Sequence, residues 1–99
     1  MKFKKPVNCQ FDETTIPNLQ ALTYCFSQLK YKRNCIDAGG HIGTVSRILA
    51  NKFDHVHAFE PVFGEYLREN TNDKNNITIY DVGLGYEKTS EKIYIHPTN

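Results

Sequence analysis

The chain has 99 residues, 39% hydrophobic and 23% charged, with a net charge of +1. That is room for a single domain with a modest core, and it gives no electrostatic footprint for nucleic acid. No apolar run approaches the roughly 20 residues of a membrane span, and the N-terminus lacks the apolar core of a secretory signal. Cys9, Cys25 and Cys35 stand far apart, without the pairing of a zinc site or disulfide framework, so reduced thiols in the cytoplasm are expected.

Residues 1–14 read as an irregular tail whose Lys2, Lys4 and Lys5 face solvent. "DETTIPNLQALTYCFSQLKYKRN" then predicts a helix over about 16–31. Thr14 or Thr15 can cap it, and Pro17 fits the first turn, where its missing N–H costs nothing. Leu19, Leu22, Phe26 and Leu29 recur at helical steps and form one apolar face. "CIDAG" predicts a short buried strand, punctuated by Gly39, Gly40 and Gly43. "GTVSRILANKF" predicts a helix with Val45, Ile48, Leu49 and Phe53 toward the sheet, and "HVHAFE" a second strand.

Pro61 starts the next predicted helix, "PVFGEYLRENTND", with Phe63, Tyr66 and Leu67 as its apolar stripe. Gly64 should weaken that helix by up to about 1 kcal/mol. "ITIYDV" predicts a third strand with Ile77, Ile79 and Asp81 on one face. A loop, "GLGYEKTS", leads to a last short strand, "EKIYI". Alternation of helix and strand implies a parallel sheet with crossover helices. The expected fold is therefore α/β, a Rossmann-like three-layer sandwich with a mostly parallel sheet, truncated after about four strands.

Chemistry concentrates at the strand ends. Ligands of open parallel sheets bind beyond the carboxyl ends of the strands, and both Asp37 and Glu60 lie at that edge. Glycine at 39 allows a tight or left-handed turn and close approach of a ligand. Gly43 lets the following helix start near that ligand, with its free N–H groups. The spacing is G-G-x-x-G, without the first pair of the dinucleotide fingerprint G-x-G-x-x-G.

Asp37 would repel a pyrophosphate and suits a ligand with a cationic amine. Glu60 suits a pair of ribose hydroxyls. A ligand with a ribose, an amine and no phosphate is S-adenosylmethionine. Two plainer readings stay open: Asp37 as a turn acid, and Glu60 as the negative charge that favours a helix start. His41, in the glycine loop, is placed to touch a cofactor. No metal is expected, because His55 and His57 share a strand face without a third ligand at suitable spacing.

"IDAGGHIGTVS", "HAFEP" and "ITIYDVGLG…KIYI" resemble the FkbM family of Rossmann-like, S-adenosylmethionine-dependent methyltransferases. Asp37, Ala38, Gly39, Gly40, Ile42 and Gly43 follow the family's loop pattern, with His41 where asparagine is usual. Ser46 matches a frequent serine or threonine, Phe59, Glu60 and Pro61 the "FEP" signature, and Asn70 an asparagine of the next helix. Val82, Gly83, Leu84 and Gly85 resemble its valine–alanine–leucine–glycine segment. The resemblance spans about residues 34–95 of a single partial domain over 1–99.

The resemblance implies a methionine site at Asp37 and the 39–43 loop, and a ribose site at Glu60. It implies an adenine site near Asp81 or the Val82–Gly83 backbone. It also implies methyl transfer to an oxygen of a small-molecule or glycan acceptor when the domain is complete. The family core has more strands than are read here, and its later half carries the acceptor pocket, so no catalytic residue is assigned. A truncated module that binds without catalysing is the second reading, and a dinucleotide-dependent oxidoreductase fragment a weaker third. An unpaired sheet edge would invite a homodimer.

Overall fold

In the computed structural model, residues 3–6 and 19–85 are described. The elements are α1 (Leu19–Gln28), β1 (Asn34–Ala38), α2 (Thr44–Lys52), β2 (His55–Phe59), α3 (Gly64–Asn70) and β3 (Ile77–Tyr80). The strands form one parallel sheet in the order β1-β2-β3. Asp37 lies beside Ala58, and Phe59 beside Tyr80, so the carboxyl ends of the strands are level. This is the expected α/β architecture with an open parallel sheet. The predicted "EKIYI" strand and the start of the first predicted helix fall outside the described residues.

The core forms where α2 lies on the sheet. Leu49 and Ala50 of α2 meet Val56 of β2, and Phe26, Cys35, Val45, Phe53 and Ile77 close around them. Phe26 of α1 packs edge-on against Phe53, with ring centroids 6.1 Å apart, which sets α1 beside the same cluster. Such an aromatic pair contributes about 1 kcal/mol beyond its buried area. No described helix is long and apolar enough to cross a membrane.

Several elements are shorter than the periodicity predicts. Helix α1 ends at Gln28, not near residue 31. The carbonyls of Lys32 and Arg33 accept the N–H groups of Asp54 and His55, which draws that stretch out alongside the entry to β2. Helix α3 begins at Gly64, not Pro61, because the Glu60 carboxylate takes the N–H groups of Val62 and Phe63 and holds them in a turn. Gly64 is thus the first helical residue. A Cβ there would collide with the Asp81 carboxylate, so its value is close packing.

Strand β1 is not buried on both faces as expected. Cys35 and Asp37 are half-buried, while Ile36 is 65% exposed. An apolar run predicts a strand, but burial of both faces needs a layer on each. Among the described residues the helices pack on one face. The other face carries Ile36, His55, His57, Phe59, Thr78 and Tyr80, with the Phe59 and Tyr80 rings stacked at 4.5 Å. Strand β3 ends at Tyr80, so Asp81 lies beyond the sheet and not on its face.

Candidate cofactor site

The loop from Gly39 to Gly43 turns sharply over the ends of β1 and β2. Gly39 has φ 80°, His41 φ 53° and Gly43 φ 103°. The left-handed region is open to glycine without strain and is uncommon for histidine, so His41 is held there by its surroundings. The Phe59 carbonyl accepts both the Gly39 and the Gly40 N–H, at 2.8 and 3.1 Å. Gly40 is required for packing: a Cβ would sit 2.9 Å from Leu67 Cδ2. A Cβ at Gly39 would meet nothing within 4 Å, so that side of the loop is open.

Glu60 ties the loop to the second strand. Its Oε1 accepts the His41 N–H at 2.9 Å, and its Oε2 accepts the N–H groups of Val62 and Phe63 at 2.8 and 3.0 Å. The residue is only 5% exposed, so these charge-assisted bonds replace water and hold the carboxylate in place. A carboxylate offers about four acceptor positions. Three are filled, two on Oε2 and one on Oε1, which leaves one on Oε1.

Asp37 sits one strand away. Its Oδ2 accepts the Ser46 hydroxyl at 2.5 Å, and Ser46 is completely buried in α2. Burial pushes the Asp37 carboxyl above the usual range; Ser46 pulls it back, and the negative charge of Glu60 adds to the rise. Two carboxylates near each other at a buried edge make a place that favours a cation. Burial pushes His41 the other way, below the usual imidazole range, with Glu60 partly opposing, so its ring is neutral at pH 7. That ring packs edge-on against Phe63, centroids 4.8 Å apart.

The structure therefore brings Asp37, Ala38, Gly39, Gly40, His41, Gly43 and Glu60 together, with Pro61 on the exposed rim. The third segment divides. Gly83 passes the rim near Pro61, and Val82 beside it is exposed. Asp81 turns away to a two-pronged ion pair with Arg68 of α3, 2.9 Å from Oδ1 to Nη1. Arg68 holds its carboxyl below the usual range. Ser46 is a partner that sequence reasoning did not assign to the site. Its signal was the match of Ser46 to a serine or threonine of the family pattern. His55 and His57 lie on the opposite sheet face, and no group of three metal-ligating side chains occurs among the described residues.

One solved structure with the same architecture is the tRNA (m1A58) methyltransferase TrmI from Aquifex aeolicus, with a TM-score of 0.61 and 16% identity. The match covers 93% of this chain and 37% of that one. The two share a Rossmann-like α/β fold. This chain spans little more than a third of the length of that methyltransferase. No family model and no curated protein matches the sequence.

Proposed function

We propose that the chain binds S-adenosylmethionine and forms the cofactor-binding part of an FkbM-like methyltransferase. The observation that carries this reading is the bridge between the two strand tips. The His41 N–H donates to Glu60 Oε1, and Asp37 lies within electrostatic reach of Glu60. The cradle offers two carboxylates at the carboxyl edge of a parallel sheet, which suits an ammonium, a sulfonium and ribose hydroxyls. It would oppose a pyrophosphate, so the dinucleotide reading is disfavoured.

In this reading Asp37, Ala38 and the 39–43 loop receive the methionine part. Glu60 accepts from a ribose hydroxyl through the acceptor position it has left. Pro61 and the backbone of Val82 and Gly83 flank the adenine, and Asp81 fixes that turn through Arg68. The complete domain would transfer the methyl group to an oxygen of a small-molecule or glycan acceptor. Catalysis would rest on positioning, because the sulfonium is already a good leaving group. The similar structure is a tRNA methyltransferase; a net charge of +1 gives no support for an RNA acceptor here. A cytoplasmic location fits the unpaired Cys25 and Cys35.

The reading is tested by thermal denaturation with S-adenosylhomocysteine, using NAD as the control ligand. A ligand that binds the native state and not the unfolded one raises the midpoint, by an amount that grows with the logarithm of its concentration above Kd. A rise with S-adenosylhomocysteine and none with NAD is expected. A rise with NAD alone would sink the proposal. No rise with either would favour a domain that keeps the fold without the cofactor.

A further inference from the structure

Asn70 closes α3 and is 1% exposed. A buried amide needs protein partners for its donors and its acceptor. Asn70 Oδ1 accepts the Lys4 N–H at 2.6 Å. Its Nδ2 donates to the Lys4 carbonyl at 2.6 Å and to the Ile42 carbonyl at 2.7 Å. Its own backbone carbonyl accepts from Arg47 Nη1 at 2.9 Å, which brings in α2.

One side chain thus joins residues 3–6 to the loop that carries the His41 N–H to Glu60. The tie uses only the backbone of Lys4, whose side chain is exposed, while Phe3 beside it is buried. Ile42 is completely buried between two left-handed residues. A loop of this kind lacks the repeating hydrogen bonds of a helix or strand, so ordering it is entropically costly. Where the loop is ordered before the ligand arrives, that cost no longer weakens binding.

We propose that Asn70 is a positioning residue for the cofactor loop, and that residues 3–6 act through it as a strap that raises cofactor affinity. The identity of the ligand rests on the function proposed above; the anchoring of the loop does not. Lys4→Pro removes the N–H to Asn70 Oδ1 and leaves the bond to Ile42. Lys4→Ala keeps the backbone and is the control. Asn70→Asp keeps the acceptor and loses both donated bonds.

The two readouts are calorimetric affinity for S-adenosylhomocysteine and hydrogen exchange at the His41 and Gly43 amides of the free protein. Lys4→Pro is expected to weaken binding about tenfold, equal to about 1.4 kcal/mol, and to speed exchange at both amides. Asn70→Asp should do at least as much, and Lys4→Pro added to it should change little more, because the two act through one connection. Lys4→Ala should match the natural chain. If Asn70→Asp does not fold, Lys4→Pro against Lys4→Ala decides. Binding and exchange both unchanged in Lys4→Pro would overturn the inference. If the natural chain binds no S-adenosylhomocysteine, the function proposed above fails and exchange alone decides. Faster exchange would then keep Asn70 as the loop's anchor, and unchanged exchange would overturn that too.

Discussion

The backbone N–H of His41 donates to Glu60 Oε1 at 2.9 Å, so the turn after β1 is built on the tip of β2. The same carboxylate caps the turn into α3 through Val62 and Phe63. One buried acid therefore organises two loops at once. Glu60→Ala would leave three N–H groups without their acceptor, and should destabilise the chain by about 3 kcal/mol. Glu60→Gln keeps one acceptor oxygen, enough for Val62 and Phe63, but turns an NH2 toward the His41 N–H, so it should lose less than Glu60→Ala. Urea denaturation of the three proteins checks the order, and a loss under 1 kcal/mol for Glu60→Ala would contradict it.

Asp37 gives a pH dependence of definite sign. Its usual midpoint is about 3.9, and burial raises it in the folded chain. Between the two midpoints the folded state holds more protons than the unfolded one, so this group makes stability fall as pH rises through that window. Asp37→Asn should remove that fall and stabilise the ligand-free protein at pH 7. It should also weaken binding of S-adenosylmethionine, whose ammonium would lose its counter-charge. Denaturation midpoints across pH 4–7, with and without ligand, would show both effects; a less stable ligand-free Asp37→Asn protein would contradict the account.

Gly64 tests the packing of α3 against the turn after β3. In an open helix, alanine would be better than glycine by up to about 1 kcal/mol. Here the added methyl meets the Asp81 carboxylate and pushes it off its pair with Arg68. Gly64→Ala should lower the melting temperature in the natural chain. In an Asp81→Ala background the same change should raise it. A rise in both backgrounds would show that the carboxylate does not occupy that space.

Ile36 marks the open edge and face of β1. It is 65% exposed at the centre of a strand with no described neighbour on its outer side. The homodimer expected from sequence would pair there, and Ile36→Lys should shift sedimentation from dimer to monomer. A dimer that survives the substitution would place the contact elsewhere.

Much of the candidate site's geometry was legible because it depends on local order. Asp37, the glycines and Glu60 occur in a strand–turn–helix–strand sequence, and that spacing alone brings the two acids to one edge. The late start of α3 was not legible, since it depends on Glu60 competing for the N–H groups of Val62 and Phe63. The apolar periodicity of "PVFGEYL" is the same in either case. Asp81 continued the alternation of Ile77 and Ile79, but the pair with Arg68 pulls it off the sheet. Ile36 looked buried because an apolar run does not reveal how many faces are covered. The tie from Asn70 to Lys4 spans 66 positions, beyond the reach of any periodic pattern.

The most direct test is calorimetric titration of the purified chain with S-adenosylmethionine, alongside Asp37→Asn and Glu60→Gln. The account predicts binding of about micromolar strength that each substitution weakens at least tenfold while the chain stays folded. Equal binding in all three proteins would place the ligand elsewhere, and a folded chain that binds nothing would contradict the central claim.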